Sequence, residues 1–204
     1  RMSLPHAVII AGGQGTRLGG VRKADLRVGG LRQLDRVIRA LDGVQRPIMI
    51  ANGSKGQRLT LPGACVLVPD RDSPGAGPLS GLIAAVARLA EAGITHGLLV
   101  SVAVDTGFLP DDFVPRLTHG LGDAMAVHAA WGDDFYPPNA LWRLEALQHL
   151  PTASDSAKGP ASLKALHGQL GGQRVDWAGT ARRNPFASIN TMTDLLALQR
   201  RARD

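Results

Sequence analysis

The hydrophobic pattern opens with Ala7-Val8-Ile9-Ile10-Ala11, a short unalternating run that predicts a strand buried on both faces. A glycine-rich stretch follows. Then Leu31, Leu34, Val37, Ile38 and Leu41 recur at helical spacing, with Gly43 as the stop signal. The alternation repeats. Pro47–Ala51 predicts a strand ending at Asn52-Gly53, and Val66–Val68 a shorter one ending at Pro69-Asp70. Leu79–Ala92 predicts a helix closed by Gly93, and Gly97–Val104 the most apolar strand, ending at Asp105. Pro110-Asp111 can start a helix through Leu117. Further on, Ala124–Ala130 and Asn139–Trp142 predict strands around a Gly132-Asp133-Asp134 turn. Trp142–Leu150, Ala161–Leu170 and Thr193–Ala202 read as helices, Arg174–Trp177 as a short strand, and Pro151–Pro160 as a mobile polar loop.

Strands alternating with helices from residue 7 to about 120 imply right-handed βαβ units on a parallel sheet. The expected fold class is α/β, a three-layer sandwich around a mostly parallel, Rossmann-like sheet. Ligands of such sheets lie beyond the carboxyl ends of the strands. Here those ends carry Gly12-Gly13, Asn52, Asp70 and Asp105.

Composition narrows the class. A length of 204 residues with 44% hydrophobic positions is ample for a core and argues against disorder. One domain over 1–204 is expected. The longest apolar run, Leu98–Val104, is broken by Ser101 and is too short to span a membrane. No leader pattern opens the chain, and the lone Cys65 excludes an internal disulfide framework, which suits a cytoplasmic setting. The net charge of +6 favours phosphate-bearing partners. Aromatic residues make up only 4%, and Arg200-Arg201-Ala202-Arg203 is a short tail, so nucleic-acid binding is not expected. The 25 glycines are concentrated: seven fall in the first thirty residues, whereas Leu31–Asp42 has none.

That loop reads Ala11-Gly12-Gly13-Gln14-Gly15-Thr16-Arg17-Leu18-Gly19-Gly20-Val21-Arg22-Lys23. It is not a P-loop, because no Gly-Lys pair occurs in the chain, and G-x-G-x-x-G fails at Leu18. Its glycines still let consecutive backbone N–H groups converge on an anion, with Arg17 and Lys23 supplying charge at either end. A-G-G-x-x-x-R-L-G-G-x-x-K after a first strand resembles the nucleotidyltransferases that attach a nucleotide to a phosphorylated cofactor or sugar. Within that group it is most similar to the molybdenum cofactor guanylyltransferase (MobA-like) family. Gly77-Pro78-Leu79-Ser80-Gly81 resembles the family's G-P-L-A-G, Val104–Pro110 its C-D-T-P-F-L-P, and Phe186–Thr191 its closing F-x-N-x-N-T-P. The four segments occur in order over residues 7 to 198.

The resemblance implies a fold of nucleotidyltransferase (GT-A) type and transfer of GMP from Mg-GTP to molybdenum-bound molybdopterin, with release of pyrophosphate. It implies Lys23, Arg17 and Asp105 as catalytic residues, with Asp105 also the Mg²⁺ ligand. Ile10, Ala11, Gly12, Gly13, Lys23, Asn52, Asp70, Gly77, Gly81 and Asp105 would bind the nucleotide, and Ser188 and Asn190 the acceptor. The resemblance also implies a nucleotide-binding half about 7–120 and an acceptor-binding half about 121–204. GTP and a molybdopterin-type cofactor are the implied partners, with transient contact to insertion or target enzymes. Thr191-Met192-Thr193-Asp194 reads as a capping box, which leaves Asp194 outside the site. The histidines show no metal spacing, and they and the tryptophans read as packing or surface residues. The chain departs from the family pattern at Arg22, Ala103, Val104, Gly107, Tyr136–Asn139 and Ser188. Cytidylyl or sugar-phosphate nucleotidyl transfer, or a catalytically weak nucleotide-binding paralogue, stay open as alternatives.

Overall fold

Strand β1 (His6–Ile10) is the apolar run expected at the chain's start, and from Ala7 onward every residue in it is buried. The computed structural model describes residues 3–12, 14–15, 18–53, 59–69, 77–150 and 159–203. After β1 come a small hairpin, β2 (Gln14–Gly15) with β3 (Val21–Arg22), and a 3-10 turn over Lys23–Asp25. A second hairpin, β4 (Arg27–Val28) with β5 (Leu31–Arg32), leads into helix α1 (Gln33–Ala40). Next are β6 (Ile48–Ala51), β7 (Cys65–Val68), α2 (Pro78–Glu91), β8 (Leu98–Ala103) and α3 (Phe113–Leu121). The chain continues through β9 (Ala126–Trp131), β10 (Asp134–Arg143), α4 (Leu144–Leu147), α5 (Leu163–Gln169), β11 (Gln173–Asp176) and α6 (Met192–Arg201).

Seven strands form one sheet in the order β11-β9-β10-β8-β1-β6-β7. The pairs β8-β1, β1-β6, β6-β7 and β9-β11 are parallel, whereas β10 is antiparallel to both its neighbours. The mostly parallel α/β expectation therefore holds. Side-chain alternation along β1 separates two cores. Ala7, Ile9 and Ala11 join Leu34, Val37 and Ile38 of α1 and Phe113, Val114 and Leu117 of α3. Val8 and Ile10 join Leu82, Ala85 and Leu89 of α2 and Leu163 and Leu166 of α5. The result is three layers. A smaller third core of Leu18, Leu26, Val28, Ile189 and Leu198 fastens α6 to the β4–β5 hairpin.

Three readings of the pattern change. Leu31 and Arg32 belong to a hairpin, so the helix begins at Gln33. Trp142 and Arg143 finish strand β10, and only Leu144–Leu147 of the expected helix forms before residue 150. Strand β10 itself starts at Asp134 and runs through Pro137 and Pro138, because a register shift between Tyr136 and Ala140 takes the prolines out of the ladder. Of the expected loop 151–160, residues 151–158 lie outside the described residues. No helix among the described residues is long and apolar enough to cross a membrane.

Candidate functional site

The carboxyl ends of the parallel strands meet through backbone rather than side chains. Ala11 N–H donates to the Ala51 carbonyl at 2.7 Å, and Val104 N–H to the Ile10 carbonyl at 3.1 Å. A Cβ on Gly12 would lie 3.3 Å from the Cα and N of Gly53, itself at φ +76°, so glycine on both sides lets these two loops touch. Gly77 caps α2 with extended backbone, its carbonyl accepting from Ser80 N at 3.1 Å and Ser80 Oγ at 2.7 Å. Gly81 is buried one turn on. A Cβ there would lie 3.0 Å from Ala51 Cβ and 3.3 Å from Ile10 Cγ2, so its smallness sets how closely α2 approaches the ends of β1 and β6. Ile10, Ala11, Gly12, Asn52, Gly77 and Gly81 thus border one edge of the sheet. Gly13, Arg17 and Asp70 lie outside the described residues.

Lys23 opens the short turn after the glycine loop, where fully buried Ala24 anchors the backbone. Its Nζ donates to Asp105 Oδ2 at 2.6 Å and to Asn190 Oδ1 at 2.6 Å. These three side chains come from positions 82 and 167 residues apart. Asn190 Nδ2 donates in turn to Ser188 Oγ at 2.9 Å. The Lys23 and Asp105 side chains are each 15% exposed, enough for substrate to reach and little enough for screening to be weak. Arg22, where the family carries an aspartate, pairs with Asp25 at 2.8 Å and so braces the same turn.

The chain of Asn190 is fixed by the capping box of α6. Asp194 Oδ2 accepts from the N–H groups of Asn190 at 3.0 Å and Thr191 at 2.8 Å, while Thr191 Oγ1 accepts from Asp194 N–H at 3.2 Å. Burial alone would raise the Asp194 carboxyl. The hydrogen bonds from Asn190 and Thr191, with the charge of Lys23 nearby, hold it below its ordinary range. The capping-box reading stands, and the same carboxylate also orients the asparagine that meets Lys23.

A family model for the MobA-like NTP transferase domain matches residues 7–173. The chain belongs to the MobA-like NTP transferase family. It is 36% identical over 194 residues to a molybdenum cofactor guanylyltransferase of Acidiphilium cryptum, covering 95% of this chain and 93% of that protein. It is 34% identical over 201 residues to one from Rhodobacter capsulatus, covering 96% and 95%. Among solved structures, molybdopterin-guanine dinucleotide biosynthesis protein A from Archaeoglobus fulgidus superposes with a TM-score of 0.74 at 18% identity, over 97% of this chain and 98% of that one. The 2-C-methyl-D-erythritol 4-phosphate cytidylyltransferase of Thermus thermophilus shares the fold, with a TM-score of 0.64 at 18% identity over 98% and 100% of the chains.

One departure from the MobA-like pattern takes on a different meaning in the structure. The 136–139 segment falls in the half expected to bind the acceptor, and within it Asn139 is 1% exposed. Its Oδ1 accepts from Ala103 N–H at 2.9 Å, and its Nδ2 donates to Thr106 Oγ1 at 3.1 Å. Asn139 therefore ties the bulge of β10 to the residue after Asp105. Beside it, Ser101 Oγ donates to the Pro138 carbonyl at 2.7 Å and accepts from Trp142 Nε1 at 2.9 Å. No local motif announces this network, because its members pair only across strands.

Proposed function

We propose that this MobA-like NTP transferase transfers GMP from GTP to the terminal phosphate of molybdenum-bound molybdopterin and releases pyrophosphate. It does so as one domain, with residues 7–120 taking the nucleotide and 121–204 the acceptor. The observation that carries this reading is the junction of Lys23, Asp105 and Asn190, where the two halves meet at the strand ends. The full-length likeness to molybdenum cofactor guanylyltransferases supports the choice of nucleotide and acceptor.

Asp105 is the residue to hold Mg²⁺. Among the described residues no group of three or more His, Cys, Asp or Glu forms a cation cage. A single carboxylate still suits this ion, which keeps several waters and takes substrate phosphate oxygens as its other ligands. When bound, Mg²⁺ supplies charge neutralisation along the triphosphate. Lys23 brings its ammonium to the phosphates beyond the α-phosphorus and stabilises the charge that collects there as pyrophosphate leaves. Asn190 and Ser188 place polar groups on the acceptor side of Lys23, so the attacking phosphate oxygen and the α-phosphorus are held together. The close backbone contact of Gly12 with Gly53 draws the ends of β1 and β6 together where the nucleotide would lie.

Melting temperature with GTP, CTP, ATP or UTP, each with and without Mg²⁺, tests the nucleotide. Ligand at a hundred times its dissociation constant adds about 2.7 kcal/mol. That corresponds to a shift of roughly 5–10 °C for a chain of this size. The expected result is a Mg²⁺-dependent shift with GTP. A shift with CTP alone would overturn guanylyl transfer, and binding of GTP without pyrophosphate release on adding the cofactor would overturn the enzymatic reading.

A further inference from the structure

Gln33 is the first residue of α1, and its N–H donates to the Leu26 carbonyl at 2.7 Å. Its side chain is fully buried, and neither Nε2 nor Oε1 has a hydrogen-bond partner among the described residues. Burying an amide in this way is unfavourable, and a methionine or leucine of similar volume would avoid the cost. The location of the amide suggests what offsets it. A Cβ on Gly107 would collide with Gln33 Nε2 and lie 2.7 Å from Cδ and Oε1, so the amide lies against the Gly107 backbone, two residues after Asp105. The same helix packs against the turn that begins with Lys23, and the Gln33 N–H is bound to Leu26, the residue that closes that turn. The helix start that carries the unpaired amide therefore touches both segments that hold the Lys23–Asp105 pair.

We propose that Gln33 is a positioning residue for the Asp105 loop: its amide is held in reserve in the free protein and pairs with the backbone of residues 105–107 when Mg-nucleotide binds. The inference rests on the nucleotide reading above. Phosphate draws Lys23 away from Asp105, the loop is released from the ion pair, and its backbone gains a buried donor and acceptor within reach. Gly107 is the matching departure from the family pattern. The family's proline at this place would fill the space of the Gln33 amide and would bring no N–H for Oε1 to accept from. Glycine supplies both the space and the N–H.

The test uses the whole chain with Gln33→Met, and Gln33→Leu as a second apolar variant. Each should raise the melting temperature of the free protein by about 3–6 °C, because a desolvated amide is removed. Each should also weaken Mg-GTP binding at least tenfold by calorimetric titration, with the loss in turnover appearing in KM rather than kcat. Gly107→Ala should weaken Mg-GTP binding in the wild-type background but by less than twofold in Gln33→Ala, where the methyl has space. A rise in melting temperature with unchanged affinity would make the amide a mere packing defect and overturn the proposal. So would a fall in melting temperature for both apolar variants, since the amide would then be paired in the free protein, and so would additive effects in the double variant. If the wild-type protein itself fails to bind Mg-GTP, the nucleotide reading falls instead, and this inference with it.

Discussion

His167 makes the stability of this protein depend on pH in a way that can be calculated. Its ring lies on Trp142 at 4.2 Å between centroids, meets His128 edge-on at 4.6 Å, and is 4% exposed. Burial, reinforced by the neighbouring His128 and only partly opposed by the Pro137 carbonyl near Nε2, lowers its pKa from 6.5 to about 4. The unfolded chain therefore takes up this proton first as pH falls. The contribution to stability is complete above the unfolded value and is lost progressively as pH drops toward the folded value. The whole shift is worth about 3 kcal/mol, of which about 1 kcal/mol is lost by pH 5.5. For a chain of this length that is a drop of roughly 2–4 °C in melting temperature. Thermal unfolding of the wild type and His167→Phe at pH 7.5 and 5.5 isolates the effect, because phenylalanine keeps the stacking and cannot titrate. The wild type should lose about 2–4 °C more than the variant between the two buffers. Equal losses would refute a ring buried in its neutral form. His128, lowered by burial and by Arg174, acts with the same sign and remains in the variant, so the difference reads His167 together with its coupling to His128.

Three substitutions probe the rest of the architecture. Lys23→Met should reduce kcat by about 10²–10³, the cost of removing one preorganised charge from a transition state; activity within threefold of wild type would exclude Lys23 from the chemistry. Ser101→Ala leaves the indole N–H of Trp142 and the carbonyl of Pro138 without their partner, and should cost about 1–3 kcal/mol in chemical denaturation. A loss below about 0.5 kcal/mol would mean that the buried strand network is dispensable. Asp194→Ala removes the α6 cap at about 1 kcal/mol and frees the backbone of Asn190, so stability and turnover should fall together. A stability loss with full turnover would show that the orientation of Asn190 does not depend on the cap.

Local chemistry was enough to reveal much of this protein. Runs such as Ala7–Ala11 and Gly97–Val104 announce buried parallel strands because their residues must be apolar on both faces. The capping box at Thr191–Asp194 is legible because its two hydrogen bonds join residues three apart. Lys23 and Asp105 could be singled out one at a time from the loop and strand end that each occupies, and Asn190 from its family segment.

What the pattern could not show were contacts between residues distant in the chain. Strand β10 passes through two prolines that argue against a strand, and only its pairing with β8 and β9 makes room for the bulge. Asn139 lies in a stretch with no local motif, and only that bulge lets its amide reach Thr106. Gln33 occupies a helix start where glutamine is unremarkable, and its buried, unpaired state exists only because Gly107 arrives against it from 74 positions further along the chain. Sequence alone determined which segments are apolar, where they stop and which residues bear charge, because those are properties of neighbours. The tertiary structure decided which charges meet and which amides are buried without partners, because both depend on how the sheet orders its strands.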